Sequence, residues 1–358
     1  MGKIYAGRAD GLGTRLLTIL YARILAELLG FDFKVVWPEL GAPFFQCYEV
    51  LHPGLKHEIF AGEHVFSGGG SLRGDFVDLC SLKDLSLLKL TGETKELAGL
   101  DKDGFKRLAE GCGGVLYKHP SPLLKFMQHE LNLNAKVKCH WRSIEWSREL
   151  LTLCDDLCDK YCVEDSIAVH VRRGDVARML VESDMAYLSR PGMMAVIFHR
   201  YTATKTFLSE VDKARHGEKI IICSEDQGVK KRFAEKYGDE NVYLSCDSFS
   251  GSENQKAFID LMLLSKSKIL IAPVLSYFSK CAAAVGHCQY KPVPWDLPSL
   301  VEELAEIVDT NGARNRQEVK ALIYASAAKM SDSALRPQLL NAAKSFDLTT
   351  AEAALASP

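Results

Sequence analysis

No stretch of this sequence is long and apolar enough to read as membrane-spanning. The most apolar one, 269–286, is broken by Pro273, several hydroxyl residues and Lys280, and 16–30 carries Arg23 and Glu27. Charge of one sign is lacking as well: 44 Lys and Arg against 46 Asp and Glu leave a net charge of -2. No global field attracts a polyanion, so nucleic acid is not an expected partner, and an anionic ligand has to be met by a local cluster of positive groups. A Cys-x-x-Cys pair is missing although there are 11 cysteines; an odd, scattered set reads as reduced thiols in a cytoplasm rather than a disulfide framework. Met1-Gly2-Lys3 leads into a short apolar run without a signal-peptide core, and Ala6 stands where a myristoylation signal takes Ser or Thr. The expectation is a cytoplasmic protein with no transmembrane segment.

What is present is ordinary globular composition, 47% hydrophobic and 25% charged over 358 residues, enough for about two domains and a remainder. A strand at 3–6, a glycine loop, a helix from Thr14 to Leu29 stopped by Gly30 and a strand at 33–37 form a βαβ unit. Residues 41–133, with the run Gly68-Gly69-Gly70, read as irregular, with loops, short strands and small helices. A helix at 143–161 leads into a buried strand at 166–171. Strands at 219–223, 242–244 and 268–272 then alternate with helices at 227–237 and 254–265, the signature of a second parallel sheet. Beyond Pro298 the chain turns helical and alanine-rich, with capping boxes expected at Ser299/Glu302 and Thr349/Glu352. The expected class is α/β, with an acceptor-side domain over 1–150, a nucleotide-sugar domain over 151–298 and a helical appendage over 299–358.

Two patterns that suggest metal binding read better as structure. Cys154, Cys158 and Cys162 share a helical stripe with Leu150, Leu157 and Tyr161, which predicts a buried apolar face; no fourth ligand lies nearby in sequence. Asp101-Lys102-Asp103, followed by Gly104 and not preceded by a strand, reads as a solvated turn.

The residues able to carry chemistry fall in three places. His170-Val171-Arg172-Arg173-Gly174-Asp175 stands where a buried strand breaks into a loop, and open α/β sheets bind ligands at the carboxyl ends of strands. Adjacent guanidiniums beside a Gly can grip a phosphate or pyrophosphate through paired charge-assisted hydrogen bonds. The competing reading pairs Arg172 with Asp175 or another acid merely to tie down the loop. Gly11-Leu12-Gly13-Thr14-Arg15 lets backbone amides approach an anion at a helix N-terminus, or else simply makes a tight turn. Leu16 stands where a dinucleotide fingerprint has its third Gly, which argues against an NAD-dependent oxidoreductase despite Glu39 after the second strand. Ser276-Tyr277-Phe278-Ser279, before the small residues Ala282–Ala284, opens a helix whose hydroxyls and amides can hold a diphosphate over Phe278, or is an ordinary helix start.

In order, these segments resemble the fucosyltransferase-like glycosyltransferases of GT-B architecture. The likeness rests on the Gly-Leu-Gly-x-Arg-Leu loop between the first strand and helix, the His-x-Arg-Arg-Gly-Asp motif closest to the α1,2 type, and Cys223-Ser224-Glu225-Asp226 after a strand. It is completed by Asp260-Leu261-Met262-Leu263-Leu264-Ser265 and the Ser-x-Phe-Ser element, and spans roughly 3–290. The resemblance implies two Rossmann-type domains facing across a cleft, a GDP-fucose donor on the second and a glycan acceptor on the first. It places Arg172, supported by Arg173, at the β-phosphate, His170 and Asp260 at the guanine or ribose, and Ser276 and Ser279 at the diphosphate. Gly11, Gly13, Arg15, Asp226 and Phe278 complete the donor side. The sequence departs from the family pattern at Thr14, a frequent Asn, and at Tyr277, one of a usual hydroxyl pair. It departs again at Val176 and Leu180, where the α1,6 type has polar catalytic groups.

The chemistry implied is transfer of fucose to a glycan hydroxyl with inversion and without a metal or other cofactor. Fixed guanidiniums stabilise the charge growing on the departing β-phosphate. Asp175 has the motif position for a general base, with Asp10, Glu182 and Asp184 as alternatives. A different nucleotide sugar on the same fold, or a module that binds nucleotide or glycan without turnover, fits the same arginines. The sequence says nothing of the acceptor's identity or of oligomeric state.

Overall fold

The structure, a computed structural model, describes residues 2–8, 11–37, 58–61, 65–66, 75–77, 86–92, 94–245, 249–313, 315–332 and 334–356. The first part of the chain carries β1 (Lys3–Gly7), α1 (Leu12–Leu29), β2 (Asp32–Val36), β3 (Leu87–Leu90), α2 (Lys95–Ala98), α3 (Lys102–Glu110), β4 (Gly114–Tyr117), α4 (Lys125–Gln128), α5 (Leu133–Arg142) and α6 (Arg148–Tyr161). Next come β5 (Ile167–His170), α7 (Gly174–Glu182), α8 (Met185–Leu188), α9 (Met193–Arg200), α10 (Thr204–Ala214), β6 (Ile220–Cys223), α11 (Gln227–Tyr237) and β7 (Val242–Leu244). They are followed by α12 (Glu253–Lys266), β8 (Ile269–Pro273), α13 (Tyr277–Val285), β9 (Gln289–Val293), α14 (Leu297–Thr310), α15 (Arg316–Met330), α16 (Arg336–Phe346) and α17 (Leu348–Ala356).

The chain divides into two compact units: Met1–Glu164 with Ser245–Lys268 and Tyr277–Gln289, and Asp165–Leu244 with Ile269–Ser276 and Tyr290–Pro358. The division differs from boundaries at 150 and 298, because α12 and α13, on either side of β8 in sequence, pack with the first unit. The first unit holds a sheet of order β2-β1-β4-β3, parallel throughout. The second holds a sheet of order β7-β6-β5-β8-β9, in which β5 pairs in parallel with both β6 and β8 and β6 with β7. Two parallel-sheet α/β units are thus present, as the alternation of elements predicts.

In the second unit, Ile167 and Val169 of β5, Ile220 and Ile222 of β6 and Ile271 of β8 form one core with Phe207, Val211 and Phe233 from the helices. The strands read as near-continuous apolar runs because helices cover both faces of a parallel sheet. A second core joins Val176 and Leu180 of α7 and Ile197 and Phe198 of α9 to Leu300 and Leu304 of α14 and Ile323 of α15. The helices beyond Pro298, expected as an appendage, therefore share a core with the segment that follows β5.

The region 41–133, expected to hold short strands and small helices, contains β3 and β4, strands of four residues each, and the short helices α2, α3 and α4. Several other expectations are corrected. Helices α7 to α10 and strand β9 were not foreseen, the first group because Pro191-Gly192 and Ser183-Asp184 break the helical pattern into short pieces. The helix expected from Ser143 begins at Arg148, since Ile144 and Trp146 instead bridge to Phe66 and Phe60. The terminal helices are capped by Asp296 and Asp347, which accept from the amides of Ser299 and Thr350, so the expected Ser299 and Thr349 capping boxes are not the ones used. Asp101, read as part of a turn, caps α3 by accepting from the Gly104 amide at 2.7 Å. Cys154 and Cys158 are buried on α6 as the stripe predicts, and burial pushes the Cys154 thiol up to about 12. Cys162 is exposed instead, ending the helix in the left-handed region at φ 49°. Glu39 and Gly68-Gly69-Gly70 lie outside the described residues. Among the described residues, no helix is long and apolar enough to cross a membrane.

If the terminal helices are core elements, Leu304→Ala should cost about 2–5 kcal/mol, the range for emptying a buried leucine site. The check is urea denaturation, and a midpoint equal to that of the native chain would contradict the shared core.

Candidate functional site

In the second sheet the strand order reverses between β5 and β8, so the connections leaving their carboxyl ends part there. Such a switch point opens a crevice outside the sheet edge, where open α/β folds take their ligands. The chain places His170 at the end of β5 and Ser276 just after β8, and the Ser276 Oγ lies 3.4 Å from the His170 Nδ1. Burial drives the His170 imidazole down to about 4; Glu225 opposes the shift and Arg172 adds to it. At neutral pH His170 is uncharged, one ring nitrogen donating and the other accepting. Val171 then turns fully into the core, its amide donating to the Cys223 carbonyl at 3.0 Å, and Arg172 is partly buried at the following position.

Arg173, also expected on the donor side, differs sharply from its neighbour in burial. Its side chain is only 2% exposed. Its guanidinium donates through Nη1 to the Thr202 carbonyl and through Nη2 to Thr204 Oγ1 at 2.8 Å and Glu303 Oε1 at 3.2 Å. The guanidinium carbon lies 4.0 Å from the centroid of the Tyr201 ring, while Nε, 3.9 Å from Asp226 Oδ2, makes no hydrogen bond among the described residues. The backbone amide of Arg173 donates to Glu225 Oε1 at 2.9 Å. These contacts are all internal to the unit, as a buried cation requires. Asp226, also expected on the donor side, caps α11, accepting from the Gly228 and Val229 amides at 2.8 and 3.4 Å.

The remaining donor-side expectations fall in the first unit. Gly11 caps α1, its carbonyl accepting from the amides of Thr14 and Arg15. Gly13 lets α13 approach closely: a Cβ there would meet the Phe278 Cα at 2.5 Å and the Tyr277 carbonyl at 2.9 Å. Arg15 is 2% exposed with its guanidinium carbon 4.6 Å from the Trp37 ring centroid, so it too is a buried cation stacked on an aromatic face. Ser279 is fully buried, whereas Phe278 and Asp260 are partly buried on α13 and α12.

Of the candidate bases, Asp175 stands in the first turn of α7. Glu182 is exposed near the end of that helix, and Asp184 caps α8 by accepting from the Tyr187 amide at 2.7 Å. Asp10 lies outside the described residues. Val176 and Leu180 are fully buried in the core shared with α14, which explains why apolar residues stand there. Sequence reading missed Glu303, Tyr201 and Thr204. Glu303 is one of several acids along α14, and nothing in its spacing distinguishes it from a solvated one.

No family model and no curated protein matches the sequence. Among solved structures, NodZ alpha-1,6-fucosyltransferase soaked with GDP-fucose aligns over 80% of this chain and 92% of its own, with 13% identity and a TM-score of 0.48. Fucosyltransferase NodZ from Bradyrhizobium aligns over 80% and 93%, with 14% identity and a TM-score of 0.49. POFUT1 in complex with GDP-fucose aligns over 82% and 98%, with 14% identity and a TM-score of 0.47. Identities at this level carry no residue role across.

Two outcomes are expected from this geometry. Gly13→Ala forces a Cβ onto the backbone of α13 and should destabilise the chain by about 1–3 kcal/mol, the usual cost of overpacking, read as a lower urea midpoint. For His170, the folded value near 4 lies below the ordinary 6.5, so between these limits the unfolded chain binds more protons. Its contribution to stability is therefore full above 6.5 and is lost as pH falls toward 4. Urea midpoints measured across that window should fall less steeply for His170→Gln than for the native chain; equal slopes would refute the assignment.

Proposed function

We propose that the chain is a GT-B-like glycosyltransferase that moves fucose from GDP-fucose to a hydroxyl of a glycan acceptor, with inversion and without a metal. The observation that carries the reading is the position of Arg172. It leaves the carboxyl end of β5 at the switch point, beside a neutral His170 and the Ser276 hydroxyl. The choice of GDP-fucose as donor follows from the His-x-Arg-Arg-Gly-Asp motif and the segments that accompany it.

With Arg173 committed inward, Arg172 is the guanidinium assigned to the β-phosphate. The acceptor oxygen forms a bond to the anomeric carbon as the bond from that carbon to the β-phosphate oxygen breaks, and the electron pair leaves with GDP. The hydroxyl proton passes to a base, for which Asp175 is our choice. Negative charge on the phosphate rises along this path, so a fixed guanidinium stabilises the transition state more than the bound donor. His170, uncharged, contributes a directional hydrogen bond to the nucleotide, and Ser276 a hydroxyl at the diphosphate.

Arg172→Ala should lower GDP release from GDP-fucose by about 100- to 1000-fold, the loss typical of one transition-state donor, with an unchanged melting temperature. Native turnover by purified R172A would falsify the reading. A panel of GDP- and UDP-sugars in a thermal-shift assay identifies the donor, since the ligand bound most tightly raises the melting temperature most.

A further inference from the structure

The carboxylate of Glu303 is a junction. Its Oε1 accepts from Arg173 Nη2 at 3.2 Å, from the Tyr201 hydroxyl at 3.1 Å and from Thr204 Oγ1 at 2.5 Å, while Oε2 accepts from the Thr204 amide at 2.6 Å. The side chain is 11% exposed, and the Arg232 guanidinium stands 3.7 Å from Oε1 on its outer side. Glu303 is carried by α14, more than a hundred residues along the chain from Arg173, and α14 is fixed by its share of the core with α7 and α9. Arg173 in turn holds the peptide next to Arg172, with its amide bound to Glu225. On the other flank, Val171 is pinned by the core and by its bond to the Cys223 carbonyl. The backbone that presents Arg172 is therefore clamped at both ends, by the sheet on one side and by Glu303 through Arg173 on the other.

We propose that Glu303 is a positioning residue of the diphosphate site, acting through Arg173 to fix the direction in which Arg172 leaves the sheet edge. The inference rests on the reading of Arg172 as the phosphate-binding group. It gives the C-terminal helices a part in donor recognition. A clamp of this kind matters because displacing a catalytic group by about 1 Å can cost on the order of 100-fold in rate.

The test is a double-mutant cycle on GDP affinity, titrated calorimetrically into the full chain up to millimolar GDP, using native protein, E303Q, R172A and the double variant. E303Q keeps the shape of the side chain and removes its charge. It should weaken GDP binding about 10-fold when Arg172 is present and less than about twofold in R172A, the non-additivity expected of residues acting in one network. A general loss of structure would instead weaken binding by the same factor in both backgrounds, and that result, or unchanged affinity in E303Q, overturns the inference while leaving the role of Arg172 standing. GDP affinity of R172A equal to native sinks the underlying reading, and the inference with it. Should E303Q lose its cooperative melt by circular dichroism, Tyr201→Phe replaces it. That variant removes one hydrogen bond to the same carboxylate and should weaken GDP binding about fivefold, again only with Arg172 present.

Discussion

A guanidinium out of water needs carboxylate and carbonyl oxygens around it, and this requirement at Arg173 organises the second unit. Stripping one partner from a buried pair costs about 3–5 kcal/mol because the remaining charge is left without solvent. Arg173 is 2% exposed, and Glu225 and Asp226 stand just beyond the end of the neighbouring strand β6. Glu225 is taken by the Arg173 backbone amide and Asp226 by the first turn of α11. The balancing carboxylate comes from α14, which is why helices far along the chain close over the segment following β5 rather than standing apart from it.

The same requirement separates two arginines that sequence alone presents as a pair. In an extended segment, consecutive side chains point to opposite faces. Val171 is buried in the core, Arg172 is partly buried, and the chain then turns into α7 with Arg173 buried against Tyr201. One guanidinium becomes part of the scaffold. On the proposed reading, the other meets the ligand.

The sheet order explains which features could be read in advance. Runs such as Ile220-Ile221-Ile222 and Ile269-Leu270-Ile271 are buried on both faces and announce parallel strands by composition. Gly30 announces the end of α1 because only a residue free of steric restriction enters the left-handed region there, at φ 67°. That His170 and Ser276 stand at strand ends was legible, and the structure brings them within 3.4 Å of each other. The roles of Gly13 and Arg15 were not legible. A glycine needed for an anion and a glycine needed for the passage of α13 leave the same letter, and the Trp37 ring under Arg15 is specified only once β2 and α1 are packed. Glu303 was invisible for a related reason: its partners are separated from it by 99 to 130 residues, beyond any local spacing rule.

The neutrality of His170 bears on how such a site can favour a transition state. A second fixed positive charge beside Arg172 would have to be held out of water next to a like charge. Burial instead holds the imidazole uncharged, and Glu225 and Arg172 are the charged groups that act on it, in opposite directions. A diphosphate arriving there would act against that burial, because a nearby negative charge favours the protonated ring. As the phosphate gains charge during bond cleavage, the bias toward a protonated imidazole grows with it. A group whose proton affinity increases along the reaction coordinate discriminates in favour of the transition state, and a histidine kept neutral in the free protein has room to do so.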